Sequence, residues 1–330
     1  MNLGIALLLN AVLVASSMQS THEPVAIAQG QFERGDYRSA VGTLSAALTG
    51  SPHDARLFHW RSRCYLELDD YPNAMSDAER AVAERPDNSE YRRWLGRAYG
   101  GAAEQARSFS LARKVRFAFE QAVQTDPSNL AARRDLFEFY LQAPWIIGGG
   151  SGKALKQVEA IADLDALAGH LAHAAYSVHE KRLAEAKADY ECVLDLRPGR
   201  IDPYLEVADF YQARGDVSKF ASVVEQAVRV DPGNARLPYY KGVALVLANQ
   251  NLPEADRFFR TYLATSPQRS DLPSHAAAHE WLGRLNQLQG NTMAAADEYR
   301  AALAIDPDRK PVREALRRLG HDRPPGIPGP

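Results

Sequence analysis

The chain has 330 residues, 45% hydrophobic and 24% charged, the balance of an ordinary soluble globular protein. A formal net charge of −2 excludes a general nucleic-acid binder, which carries a strongly basic excess. Cys64 and Cys192 lie far apart and form no Cys-x-x-Cys pair, so both read as free, packed thiols.

Residues 2–15, NLGIALLLNAVLVA, are apolar apart from two asparagines and too short for an unaided membrane span. Ala15, Ser16 and Ser17 supply the small residues of a cleavage site, and residues 1–17 read as a signal peptide. The segment carries no Lys or Arg before its apolar run, and the other reading is a packed first helix in a cytoplasmic protein. Export implies a periplasmic or secreted protein of bacterial type, with no stable membrane span after cleavage. No cysteine stands directly after the segment, so no lipid anchor is expected there.

From residue 22 one pattern returns along the chain. Its first copy runs through Ile27, Ala28, a Gly35-Asp36 turn, Tyr37, Ala40, Leu44, Ala47 and Pro52. The second holds Tyr65, Asp70, Tyr71, Ala74, Ala81 and Pro86, and Pro52 to Pro86 is 34 residues. In the third, with Gly96, Tyr99, Phe119, Ala122 and Pro127, the step is 41, which places about seven extra residues near 100–110, between its helices. The fourth opens with Leu136 and Tyr140, breaks at APWIIGGGSGKAL, and resumes near Ala154. A degenerate fifth copy holds Ala174, Ala186, Tyr190 and Pro198. The sixth shows Tyr204, Ala208, Gly215, Asp216, Ala227 and Pro232, and the seventh Tyr239, Ala255, Phe259 and Pro267.

The eighth copy, 280–307, displays the unit most plainly. Small residues Gly283, Ala295 and Ala302 face larger Leu282, Tyr299 and Leu303, so two helices can approach closely. Gly290 suits the left-handed backbone that ends a helix, and Asp306 before Pro307 closes the next one. One such hairpin leaves an apolar face that needs a stacked neighbour. Residues 308–319 fit a final capping helix with a charged outer face, and 320–330 form a Pro- and Gly-rich tail expected to be disordered.

This spacing resembles the tetratricopeptide repeat, a helix–turn–helix unit of ~34 residues. The resemblance implies an all-α, right-handed superhelical solenoid of about eight repeats over residues 22–307. It further implies a non-catalytic scaffold that holds a partner protein or peptide in a concave groove lined by the first helix of each repeat. Chaperone-binding members carry a Lys/Asn/Arg carboxylate clamp there. On the first three repeats those positions hold Val25, Gln29, Trp60, Glu90 and Trp94, so that clamp is not matched.

No constellation for chemistry emerges. WIIGGGSGKAL lacks the first glycine and the hydroxyl of a phosphate-binding loop, because Ile147 and Ala154 stand at those positions. His275 and His279, followed by Glu280, leave a metal-dependent hydrolase as a remote alternative, and His170, His173 and His179 form a looser cluster. No cofactor is expected.

The groove candidates are aromatic and basic. Trp60, Trp94 and Trp281 share one position of the unit, and His59, Arg63, Arg93 and Arg97 lie beside the first two, with Arg134 one repeat further. Arg beside Trp is a favoured hot-spot composition, and guanidinium groups hold carboxylates bidentately. A partner segment with acidic groups is therefore expected, unless the tryptophans pack between repeats and the arginines are merely solvated. The other reading is a structural subunit of an envelope assembly, acting through its convex face and the 144–152 loop.

Overall fold

The computed structural model describes residues 23–320, and every regular element among them is helical. The proposed signal peptide and nearly all of the tail lie outside the described residues. The chain divides into two compact units, the first ending at Leu196 and the second starting at Arg197, where the sequence reads as one array.

In the first unit, residues 23–33 form α1 and pair with α2 (Tyr37–Gly50). Three further hairpins follow: α3 (Ala55–Glu67) with α4 (Tyr71–Glu84), α5 (Ser89–Ala106) with α6 (Phe109–Thr125), and α7 (Leu130–Gln142) with α8 (Ser151–Ala162). The last is α9 (Ala166–His179) with α10 (Leu183–Asp195). In the second unit, α11 (Asp202–Ala213) pairs with α12 (Val217–Val230), α13 (Leu237–Ala248) with α14 (Leu252–Thr265), and α15 (His275–Leu288) with α16 (Thr292–Ile305). After these, α17 (Lys310–Arg318) buries Val312 and Leu316 against α16.

Local chemistry sets these boundaries. The side chains of Asp36, Asp54, Asp70, Asn88, Asn129 and Asp216 each accept a backbone N–H at the start of a helix, satisfying donors the helix cannot. The turn inside each hairpin needs a left-handed residue. Gly35, Gly215 and Gly290 supply it with φ of 76°, 70° and 78°. Elsewhere Asp69, Arg107, Lys181 and Asn249 occupy the same conformation, at φ between 48° and 60°. Asp and Asn adopt it readily, whereas Arg107 and Lys181 are strained there. Such a turn has no glycine to announce it.

Packing within a hairpin depends on the missing side chain at Gly96, Gly242 and Gly283. A Cβ on Gly283 would fall 2.4 Å from the Tyr299 ring, and one on Gly96 would fall 2.4 Å from Phe119. Tyr299 is 1% exposed and its hydroxyl donates to Gln287, so the ring has little freedom to withdraw. Gly283→Ala should therefore destabilise the second unit by about 1–3 kcal/mol, the usual consequence of overpacking, despite alanine's better helix propensity. Urea denaturation followed by circular dichroism measures it, and a neutral or stabilising result would refute this packing.

Two expectations are corrected. The extra residues of the third hairpin do not form a loop; they lengthen both helices, to 18 residues in α5 and 17 in α6. Ala102, Ala103, Glu104 and Gln105 are strong helix formers, so the helix continues through them. Cys192 is not packed but exposed, whereas Cys64 is buried, and burial raises its thiol to about 12. The break in the fourth hairpin appears as a short 3₁₀ turn, Trp145–Ile147, followed by Gly148 at φ 98°. A Cβ on Gly149 would sit 1.8 Å from the Ala143 carbonyl oxygen, so the loop closes tightly on the end of α7. Lys153 donates to the Gly148 carbonyl at 2.9 Å.

Candidate functional site

The first helices of consecutive hairpins touch directly: α3 packs on α5 and α5 on α7. Along that contact the structure brings together six of the residues singled out in the sequence. Arg63, on α3, lies between two indoles, its Cζ 3.9 Å from the Trp60 centroid and 4.3 Å from that of Trp94. Phe32 of α1 is the third ring, at 5.2 Å. Beneath them is His59, 7% exposed, its ring 4.9 Å from Tyr91 and 5.9 Å from both Trp60 and Trp94.

The three arginines differ in what they hold. Arg93 donates to Glu90 at 2.7 and 2.8 Å and to Asp135 at 3.2 Å. Arg97 grips Asp135 bidentately, with both bonds at 2.8 Å. Glu90 also accepts from the Trp94 indole N–H at 2.8 Å. Arg93 and Arg97 are thus committed to internal carboxylates. Arg63 makes no ion pair among the described residues, and its buried Nε has no hydrogen-bond partner there.

Electrostatics follow from this layout. Burial pulls Arg63 down to about 10, against the attraction of Glu90, and it stays cationic at neutral pH. Ring faces partly replace its lost water, each cation–π contact being worth ~0.5–2 kcal/mol. For Glu90, burial pushes upward, but the bonds from Arg93 and Trp94 outweigh it and hold the carboxyl at about 2. His59 is driven down to about 3, first by burial and then by Arg63, so its imidazole is neutral.

Two predicted residues do not join this cluster. Arg134 is exposed on α7, paired with Glu138 at 3.1 Å. Trp281 belongs to the second unit, where it is only 6% exposed and donates its indole N–H to the Tyr239 hydroxyl at 3.2 Å. Its assignment to a binding face is corrected: α13 supplies a hydroxyl partner and Trp281 packs between helices. Sequence reasoning missed Glu90 and Asp135 as the partners of Arg93 and Arg97. It also missed Arg284, whose Cζ lies 4.5 Å above Trp281 and which pairs with Glu280 at 2.6 Å. A signal was present, since Trp-x-x-Arg occurs at Trp60, Trp94 and Trp281.

The histidine clusters are held by single carboxylates. His170 and His173 both contact Asp189, at 2.9 and 2.5 Å, and His279 contacts Glu298 at 2.7 Å. His275 instead meets the Ser266 carbonyl at 2.9 Å. Among the described residues no group of three His, Cys, Asp or Glu is placed to hold a metal ion. Among them, too, no helix is long and apolar enough to cross a membrane.

Paired helices stacked first helix on first helix, with an aromatic and basic face, define an α-helical repeat scaffold. The model of the tetratricopeptide repeat family matches residues 25–89, in the first unit, and 268–310, in the second, so these two stretches are similar to tetratricopeptide repeats. Such repeats generally mediate protein–protein interaction and are typically non-catalytic. Among solved structures, the chain is similar to one in the APC/C hetero-tetramer Cut9–Hcn1, with TM-score 0.53 and 14% identity. That match covers 90% of this chain and 55% of the other, so the chain spans about half the length of that relative. A tetratricopeptide repeat protein of Parabacteroides merdae aligns with TM-score 0.44 and 14% identity, over 92% of this chain and 99% of that one. A thermophilic one of Thermus thermophilus aligns with TM-score 0.46 and 15% identity, over 68% and 98%. Identity this low speaks for fold alone. No curated protein matches the sequence.

Proposed function

We propose that the chain is a non-catalytic scaffold that binds a partner protein on the first-helix face of its first unit. A carboxylate of the partner meets Arg63 between Trp60 and Trp94. The observation that carries this reading is the contrast among the arginines: Arg93 and Arg97 hold Glu90 and Asp135, and Arg63 holds none. A cation stacked between rings and short of a hydrogen-bond acceptor is preorganised for an incoming carboxylate, because its desolvation has already occurred in the free protein. The Trp60 and Trp94 rings would then contact the adjoining partner chain. The apolar segment at 2–15 supports a periplasmic or secreted location, which N-terminal sequencing of the mature chain tests.

The test is crosslinking affinity capture from the native cell with the wild-type chain and with Arg63→Gln. Arg97 is left intact, since its loss would disturb α5 and α7 as well as binding. Capture should weaken about tenfold, as for a moderate hot spot, with the chain still folded at the assay temperature by circular dichroism. Unchanged capture would overturn the assignment. A second reading rests on Trp145 and Ile146, which are 84% and 54% exposed and suit a contact within a larger envelope assembly. Loss of partner in Trp145→Ser with Ile146→Ser, and not in Arg63→Gln, would favour it.

A further inference from the structure

Away from the Arg63 cluster, the exposed surface of α6 has an unusual composition. Phe109, Arg113 and Phe117 follow one another at intervals of four residues on α6, so they form one stripe. Phe109 is 64% exposed and Phe117 61%, and no other phenylalanine among the described residues is exposed to this extent. Phe117 forms one wall of a slot of 360 Å³ between α5 and α6. Leu95, Tyr99 and Ala118 supply the rest of its apolar lining, and Arg92, Arg113 and Lys114 the charged part, with Gln121 beside them.

The charge is one-sided. No carboxylate lines the slot. Arg92 is turned toward the Pro86 carbonyl, which it reaches at 2.7 Å, while Arg113 and Lys114 make no ion pair among the described residues. Lys114 instead lies over the Tyr99 ring, its Nζ 5.0 Å from the centroid. The nearest acid along α6, Glu120, faces Arg116 and accepts from the Tyr140 hydroxyl at 2.8 Å, and Glu79 accepts from the Tyr99 hydroxyl at 2.7 Å. Both acids are occupied.

We propose that this slot is a second docking site, separate from Arg63. It takes one aromatic or branched aliphatic side chain of a partner protein segment whose neighbouring residues are Asp or Glu. Exposed apolar surface framed by unpaired cations fits that composition on two independent counts, desolvation and charge. The volume, at the low end of the ~300–1,000 Å³ typical of ligand pockets, suits a single side chain. A bilayer meets a flush apolar face, whereas this one is indented between two helices. The chain's own segments outside the described residues do not fit, because residues 1–22 contain no Asp or Glu and 321–330 contain only Asp322.

The probe is an N-acetylated, C-amidated heptapeptide with phenylalanine between two Asp triplets, dye-labelled and titrated into the full-length chain by fluorescence anisotropy. Wild type should bind it about tenfold more tightly than the same peptide with alanine at the centre, and more tightly than the version with lysines for aspartates. Phe117→Ser, and separately Arg113→Glu with Lys114→Glu, should each weaken binding about tenfold. These side chains are exposed, so circular dichroism should be unchanged. Arg63→Gln should change the affinity less than twofold, which separates this site from the one proposed above. The opposite pattern, loss in Arg63→Gln alone, would place the peptide on the Trp60–Trp94 face and overturn the slot. Indifference to the central phenylalanine would overturn it as well. So would Phe117-dependent binding to phosphatidylglycerol vesicles, or Phe117-dependent self-association, in place of peptide binding.

Discussion

Replacing Asp135 with alanine should destabilise the first unit by about 3–5 kcal/mol, the usual loss when one member of a buried ion pair is removed. Asp135 is 7% exposed and sits on α7 beneath two guanidinium groups of α5. Arg97 is 43% exposed on its side chain and would recover water, but Arg93, at 11%, would not. The penalty therefore falls on both guanidiniums: Arg97 loses its two bonds, and the more buried Arg93 loses its third while keeping Glu90. The same deletion frees α5 from α7, and α5 carries Trp94, one of the two rings around Arg63. Partner capture should fall with stability in Asp135→Ala, whereas Arg63→Gln should lower capture with a smaller loss of stability. Urea denaturation of the two variants beside wild type decides the matter. A change below about 1 kcal/mol for Asp135→Ala would mean the bridge behaves like a surface pair, and the rigid placement of Trp94 would need another cause.

The helix–turn–helix fold was legible because each hairpin repeats its chemistry in cis. Gly283 facing Tyr299, Asp216 capping α12 and Asp306 before Pro307 are local events that single residues announce. Turns through Arg107 and Lys181 were not, since their left-handed backbone is imposed by packing on residues that do not favour it. At the candidate site, the aromatic and basic composition could be read at Trp60, Arg63 and Trp94. Which arginines were already neutralised could not, because Asp135 lies 42 residues from Arg93 and 38 from Arg97. Trp281 shows the same limit from the other side. It shares a repeat position with Trp60 and Trp94, yet the Tyr239 hydroxyl 42 residues earlier turns it into a packing residue. Position within a repeat sets where a side chain starts, and long-range partners decide whether it is free.

His59 should make the first unit acid-sensitive well above the range where carboxylates titrate. Buried among Tyr91, Trp60 and Trp94, its imidazole is held at about 3 in the folded chain, first by burial and then by Arg63, with Arg93 adding to the effect and Glu90 opposing it. In the unfolded chain it returns to about 6.5. Above that pH neither state is protonated and His59 is neutral in its effect. Below it the unfolded chain takes up a proton that the folded chain excludes, so stability falls as pH drops from about 6.5 toward 3, by about 1.4 kcal/mol per unit. Glu90 acts in the same direction but lower, since its stabilising contribution is lost only as pH falls from its ordinary value of 4.5 through about 2. Between pH 6.5 and 5, then, a comparison of wild type with His59→Phe isolates the imidazole. Phenylalanine keeps an aromatic ring in the pocket and cannot be protonated. Relative to their difference at pH 7.5, wild type should lose about 2 kcal/mol more than His59→Phe on going to pH 5, measured by urea denaturation. Parallel curves would show that His59 escapes its pocket or is hydrated there. A carboxylate seated on Arg63 would offset the second cause of the shift and raise the folded imidazole's value, so with an acidic partner bound the loss of stability should level off at a higher pH, below the 6.5–5 window, whose slope stays the same. That upward move of the lower limit ties the buried imidazole, which touches no partner, to the cation beside it that would.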